Sequence, residues 1–75
     1  MTDPQPEPPA KLRKLLVNLP LIEEDVRERY DCEELFGNIE LRKQSLRFAM
    51  TIKDYNKALH EADSLEDYYV DLLTE

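Results

Sequence analysis

The sequence predicts an all-α fold, a small three- or four-helix bundle behind a disordered, Pro-rich N-terminal arm. The 75 residues contain a single glycine, and Ala, Leu, Glu, Lys and Arg are prominent, a composition that favours helix. Apolar residues recur at spacings of three and four along most of the chain, the period of a helix with one buried face. Four of the five prolines lie in the opening MTDPQPEPPA, where they favour extended, solvated backbone.

The expected organisation is an arm over 1–9 and one helical domain over 10–75. Pro6 and Pro9 have the spacing of a PxxP ligand, although a plain disordered tail is the simpler reading. Pro8 and Pro9 lead into a first helix on which Leu12, Leu15, Leu16 and Leu19 repeat at i, i+3, i+4 and i+7. Pro20 is expected to end it, because the residue before a proline is pushed away from the α region. A second helix is then expected just after Pro20. Glu23, Glu24 and Asp25 would complement the positive end of its dipole, and Ile22, Val26 and Tyr30 would share a face. Asp31 and Glu34 have capping-box spacing, so a break and restart is expected there. Gly37-Asn38 reads as the stop.

A third helix, the longest, is expected from about Ile39 to Ala62. Leu41, Ser45, Phe48, Ile52, Tyr55, Leu59 and Ala62 alternate at four and three, a coiled-coil-like seam. Ile39, Leu46 and Met50 fall on another side, among Arg42, Lys43, Arg47, Lys53 and Lys57. Both faces are plausible seams, and the pattern does not decide which is core. A central helix packed on both sides by its neighbours is the plainer expectation. Asp63 with Glu66, or Ser64 with Asp67, would cap a last helix carrying Leu65, Tyr68, Tyr69, Leu72 and Leu73. Residues DYNKALHEA, 54 to 62, resemble the second helix of a tetratricopeptide repeat, where an aromatic and an Ala at this spacing pack between helices. The resemblance covers nine residues. The rest of the 34-residue pattern is missing and no second copy follows, so it assigns no family.

Composition excludes several functions. Seventeen acids against ten bases give a net charge of −7, which argues against direct binding of nucleic acid or an anionic membrane. No apolar run approaches a membrane span, and no signal peptide is expected, since the opening residues lack a basic stretch followed by an apolar one. The expected location is cytoplasmic, or the host-cell cytoplasm for a viral protein. Charge is ordered as well as unequal. Residues 20–40 hold eight acids and two bases, 41–58 one acid and five bases, and 59–75 six acids without Lys or Arg. The basic middle is expected to pair with the acidic helices on either side.

Cys32 is the only cysteine, so no disulfide forms within the chain. One Cys and one His do not make a zinc site. An EF-hand loop counted from Asp63 would need Gly and Glu where Tyr68 and Thr74 stand. No metal and no cofactor are expected. His60 is read as a surface residue and Cys32 as a small buried hydrophobe, which leaves no catalytic set. A chain this short often needs a second subunit, so a homodimer is plausible.

The expected function is therefore non-enzymatic, that of an accessory or regulatory adaptor working by protein–protein binding. Two partner-binding sets stand out. Lys43, Leu46, Arg47 and Met50 would dock apolar side chains inside a charged rim. Asp67, Tyr68, Tyr69 and Asp71 would present carboxylates and aromatics to a basic surface. From the second set follows an alternative, an acidic phage-type inhibitor that blocks a nucleic-acid-binding enzyme by DNA mimicry. A further alternative is a self-associating scaffold or assembly chaperone.

Overall fold

The computed structural model describes residues 7–74 as an all-α bundle of three helices. These are α1 (Ala10–Arg29), α2 (Glu33–Thr51) and α3 (Tyr55–Thr74), with no strand among the described residues. Most of the expected arm, with Pro6 of the PxxP spacing, lies outside the described residues. Pro9 stands at the N-cap of α1, and its carbonyl accepts the Arg13 N–H at 3.0 Å.

The helices run up, down and up. Lys11 meets Asp63 at 3.3 Å near the start of α1. Further along, the Tyr30 hydroxyl donates to the Leu72 carbonyl at 2.6 Å, and Arg29 donates to the Leu73 carbonyl. So α1 and α3 lie parallel. Between them in sequence, α2 runs back: the Arg27 guanidinium sits over the Phe36 ring at 4.6 Å, and Lys43 reaches Glu23 at 3.0 Å.

Each of α1 and α2 packs its backbone against α3, whereas the two meet each other only through side chains. Small side chains on α3 permit the close approach, since Ala58 and Ala62 are fully buried. From α1 the core takes Leu12, Leu15, Leu19 and Val26. From α2 it takes Ile39, Leu46 and Ala49, and from α3 also Leu65 and Tyr69.

The bundle has three helices, within the three or four expected, but the element boundaries move for physical reasons. Pro20 does not end the first helix; α1 passes through it to Arg29. The missing N–H and the ring oppose helix at that point. However, Leu12, Leu15, Leu19, Ile22 and Val26 form one unbroken seam, and burying it against α3 outweighs the local penalty. A break does occur over residues 30–32, but the cap is not the Asp31 box: Cys32 is the N-cap of α2 and no side chain caps it. Gly37-Asn38 is no stop either, and Gly37 does not take positive φ. Leu35 and Phe36 before it and Ile39 after it all pack on the core, which holds the helix through the glycine.

The long helix over 39–62 is likewise divided, ending at Thr51. Lys53 takes φ 59°, the left-handed region. The Asp54 N–H bonds the Ala49 carbonyl at 2.9 Å, and the Lys53 N–H bonds the Met50 carbonyl at 3.1 Å. That pair of bonds is a Schellman stop. Asp54 then starts α3, its carboxylate accepting the Lys57 N–H at 3.3 Å and its carbonyl the Ala58 N–H at 2.9 Å. Because α3 is continuous from Tyr55, the Asp63 and Ser64 capping pairs lie inside it and cap nothing. A side chain with a Cβ is strained at φ 59°. Lys53→Gly is therefore expected to raise stability by about 0.5–1 kcal/mol, read from the urea midpoint.

Burial also decides which face of α2 is core. Ile39, Leu46 and Ala49 are buried and Met50 is half-buried, while Leu41, Ser45, Phe48 and Ile52 are exposed. The expectation that neighbours pack on both sides of this helix does not hold. α2 has one packed face and one bare apolar face.

Candidate functional site

Because α1 and α2 lean on α3 without touching along their backbones, a groove of about 670 Å³ opens between them. Beneath it lie Leu65 and the Tyr69 ring of α3, both already buried, so the accessible apolar lining is Leu16, Pro20 and Met50. One wall, from α1, carries Leu16, Leu19, Pro20, Glu23 and Glu24. The facing wall, from α2, carries Lys43, Leu46, Arg47, Met50 and Thr51. The interior is apolar, with acids on one lip and bases on the other.

Next to the floor, the lips are clamped by an ion-pair cluster centred on Glu23. The Tyr69 hydroxyl donates to Glu23 Oε1 at 3.0 Å, and Lys43 Nζ reaches the same oxygen at 3.0 Å. Arg27 Nε donates to Glu23 Oε2 at 2.8 Å. Glu40 receives Lys43 Nζ at 3.4 Å and lies 3.5 Å from Arg27 Nη2. Burial pulls the Glu23 carboxyl toward protonation, but the hydrogen bonds from Lys43, Arg27 and Tyr69 prevail and hold its pKa below the ordinary value. Burial, and then the facing Glu23 carboxylate, push the Tyr69 phenol well above its usual range. Two carboxylates and two cations cancel in charge, and the buried hydroxyl has its acceptor. The cluster joins all three helices.

The first set of predicted residues converges here: Lys43, Leu46, Arg47 and Met50 all line the groove. Leu46 is nonetheless buried, so it is part of the core as much as of the wall, whereas Arg47 is exposed. Lys43 pairs with the acidic helix before it, as expected from the order of charge. Toward the helix after it, Arg42 instead stacks on the Tyr68 ring at 4.6 Å.

The second set does not form one surface. Tyr69 is fully buried and Tyr68 half-buried beneath Arg42, while Asp67 and Asp71 are exposed. The facing wall of α1 lies outside the expected site, because an expected break at Pro20 hides its continuity. The signal for it was the seam running through residues 12–26.

Cys32 is exposed at the α1–α2 junction, not buried, because the chain there leaves the core. His60 is exposed, as expected. With α2 and α3 antiparallel, the two lie toward opposite ends of the bundle, on the order of 20 Å apart along the axis. Among the described residues, no group of three or more His, Cys, Asp or Glu is placed to hold a metal ion, and no helix is long and apolar enough to cross a membrane. The chain matches no family model, no curated protein and no solved structure.

Proposed function

We propose that the protein is a non-enzymatic adaptor whose α1–α2 groove receives an amphipathic helix of a partner protein. The observation that carries this reading is the unfilled apolar space between two helices whose backbones do not meet. A helix laid in a groove is anchored by apolar residues at helical spacing. Half-buried Leu16 and Met50 are the adaptable contacts here, and Met conforms well to varied anchors. The lips specify the partner's flanks. Exposed Glu24 faces basic side chains and exposed Arg47 faces acidic ones. Pro20 adds a backbone feature, since it has no N–H for the Leu16 carbonyl to accept, and both residues line the groove.

The test is affinity capture from native extract at two salt concentrations after nuclease treatment, followed by titration of the captured partner into isotope-labelled chain. Amide shifts at Leu16, Met50 and Leu65 are expected. Arg47→Glu is expected to weaken binding about fivefold to tenfold at low salt while leaving the melting temperature unchanged. Binding that falls steeply with salt, ignores Arg47→Glu and is lost in Asp67→Asn/Asp71→Asn would instead favour the acidic inhibitor.

A further inference from the structure

We infer that the bare outward face of α2 binds a second copy of this chain, α2 against α2, antiparallel about a two-fold axis between Gln44 and Ser45. This dimer is independent of the groove, which lies on another side of the same helix.

Exposure is the first observation. Leu41, Phe48 and Ile52 are 63%, 59% and 51% exposed and share one side of α2, opposite buried Ile39 and Leu46. An outward helix face in a chain with 36% charged residues would ordinarily be charged. Here the exposed positions on that one side from 37 to 52 are Gly37, Asn38, Leu41, Gln44, Ser45, Phe48 and Ile52, none of them charged, while exposed Arg42, Arg47 and Thr51 stand on the flanks.

Spacing identifies the occupant. The face is symmetric about its own midpoint: Leu41 and Phe48 stand equally far from it, and so do Gly37 and Ile52. Laying a second α2 across in the opposite direction sets Leu41 against Phe48 of the other copy, twice. It also sets Ile52 over Gly37. A Cβ built on Gly37 meets nothing within 4 Å, so the space above this glycine is open and its own fold makes no use of it. A glycine inside a helix costs about 1 kcal/mol relative to Ala, and seating a branched side chain from the second copy supplies a reason for it. The self-complementary pattern is what a two-fold interface demands.

Charge agrees with the direction. Glu33 and Glu34 stand at the start of α2 and Lys53 just past its end. Among the described residues none of the three forms an ion pair within the chain. In the antiparallel arrangement Lys53 of each copy falls beside the acids of the other. A parallel pairing would set acid against acid and base against base. The two helix dipoles also oppose each other favourably.

Sedimentation of the full chain across 1–500 µM is the test. A reversible dimer is expected. Phe48→Glu is expected to raise its dissociation constant about 30-fold or more, while Val17→Glu, on the exposed outer face of α1, leaves it unchanged. Lys53→Glu is expected to weaken the dimer and Glu34→Lys in the same chain to restore it. Register is read by oxidative cross-linking in a Cys32→Ser background, where Ser45→Cys couples readily and Gly37→Cys does not. A monomer at all concentrations, a dimer indifferent to Phe48→Glu, or coupling through Gly37→Cys would each overturn the inference. Because Val17, Glu34, Gly37, Ser45, Phe48 and Lys53 are all exposed, folding of these variants is checked by unchanged helical circular dichroism.

Discussion

Tyr69→Ala is expected to bring the chain to the edge of unfolding at 25 °C. Tyr69 is the largest fully buried side chain, and truncating such an aromatic costs about 3–5 kcal/mol. A chain of this length typically has about 4–11 kcal/mol in total, so much of the margin disappears in one step. Tyr69→Phe separates packing from hydrogen bonding, since it keeps the ring and removes only the donor to Glu23. Its expected cost is about 1–2 kcal/mol, because Lys43 and Arg27 still hold the carboxylate. Urea denaturation gives both values. A Tyr69→Phe chain within a few tenths of wild type would show that the hydroxyl adds nothing to the joint.

The same joint sets a pH dependence with a definite sign. Glu23 has a folded-state pKa below its unfolded value. Between those two values the unfolded chain binds more protons, so stability falls as pH drops. The contribution is fully present above the ordinary carboxylate range and is lost as pH passes down through the lowered folded value. In Glu23→Gln the slope of stability below about pH 5 is expected to flatten, with a lower plateau at neutral pH.

The fold class was legible in the sequence because helical periodicity survives even where boundaries do not. Most apolar residues read on a helix stayed helical, with Tyr30 and Ile52 falling just past helix ends, and Leu65 and Tyr69 became core as their spacing implied. The boundaries failed where a local signal was weighed against a longer seam. Pro20 and Gly37 look like stops within a window of a few residues. Residues 12–26 and 35–49 read through them, and tertiary burial settles the contest. The true turn failed in the opposite sense. Lys53 has no glycine to announce a left-handed residue, and the only cue was Asp54 as a helix-starting side chain three residues before Lys57. The site was half legible: the α2 wall showed in the mixture of Leu46, Met50 and bases. The α1 wall depended on knowing that α1 does not stop.

Pro20→Ala carries the other large effect, and it separates what is good for the helix from what is good for the groove. The substitution returns an N–H for the Leu16 carbonyl and removes the ring that crowds it. Pro20 is exposed, so little burial is lost. The helix-interior difference between Pro and Ala is about 3 kcal/mol, and a rise in melting temperature on the order of 10 °C is expected. Yet Leu16 and Pro20 both face the groove. An N–H at residue 20 would engage the Leu16 carbonyl in the helix ladder, so affinity for a groove-bound helix is expected to fall as stability rises. Those opposite signs are the informative outcome. If stability rose with affinity unchanged, the proline would be a tolerated defect and the groove would not depend on it. If stability fell instead, the proline ring would be required by the way the seam from Leu12 to Val26 follows α3, and the groove would be a consequence of core packing.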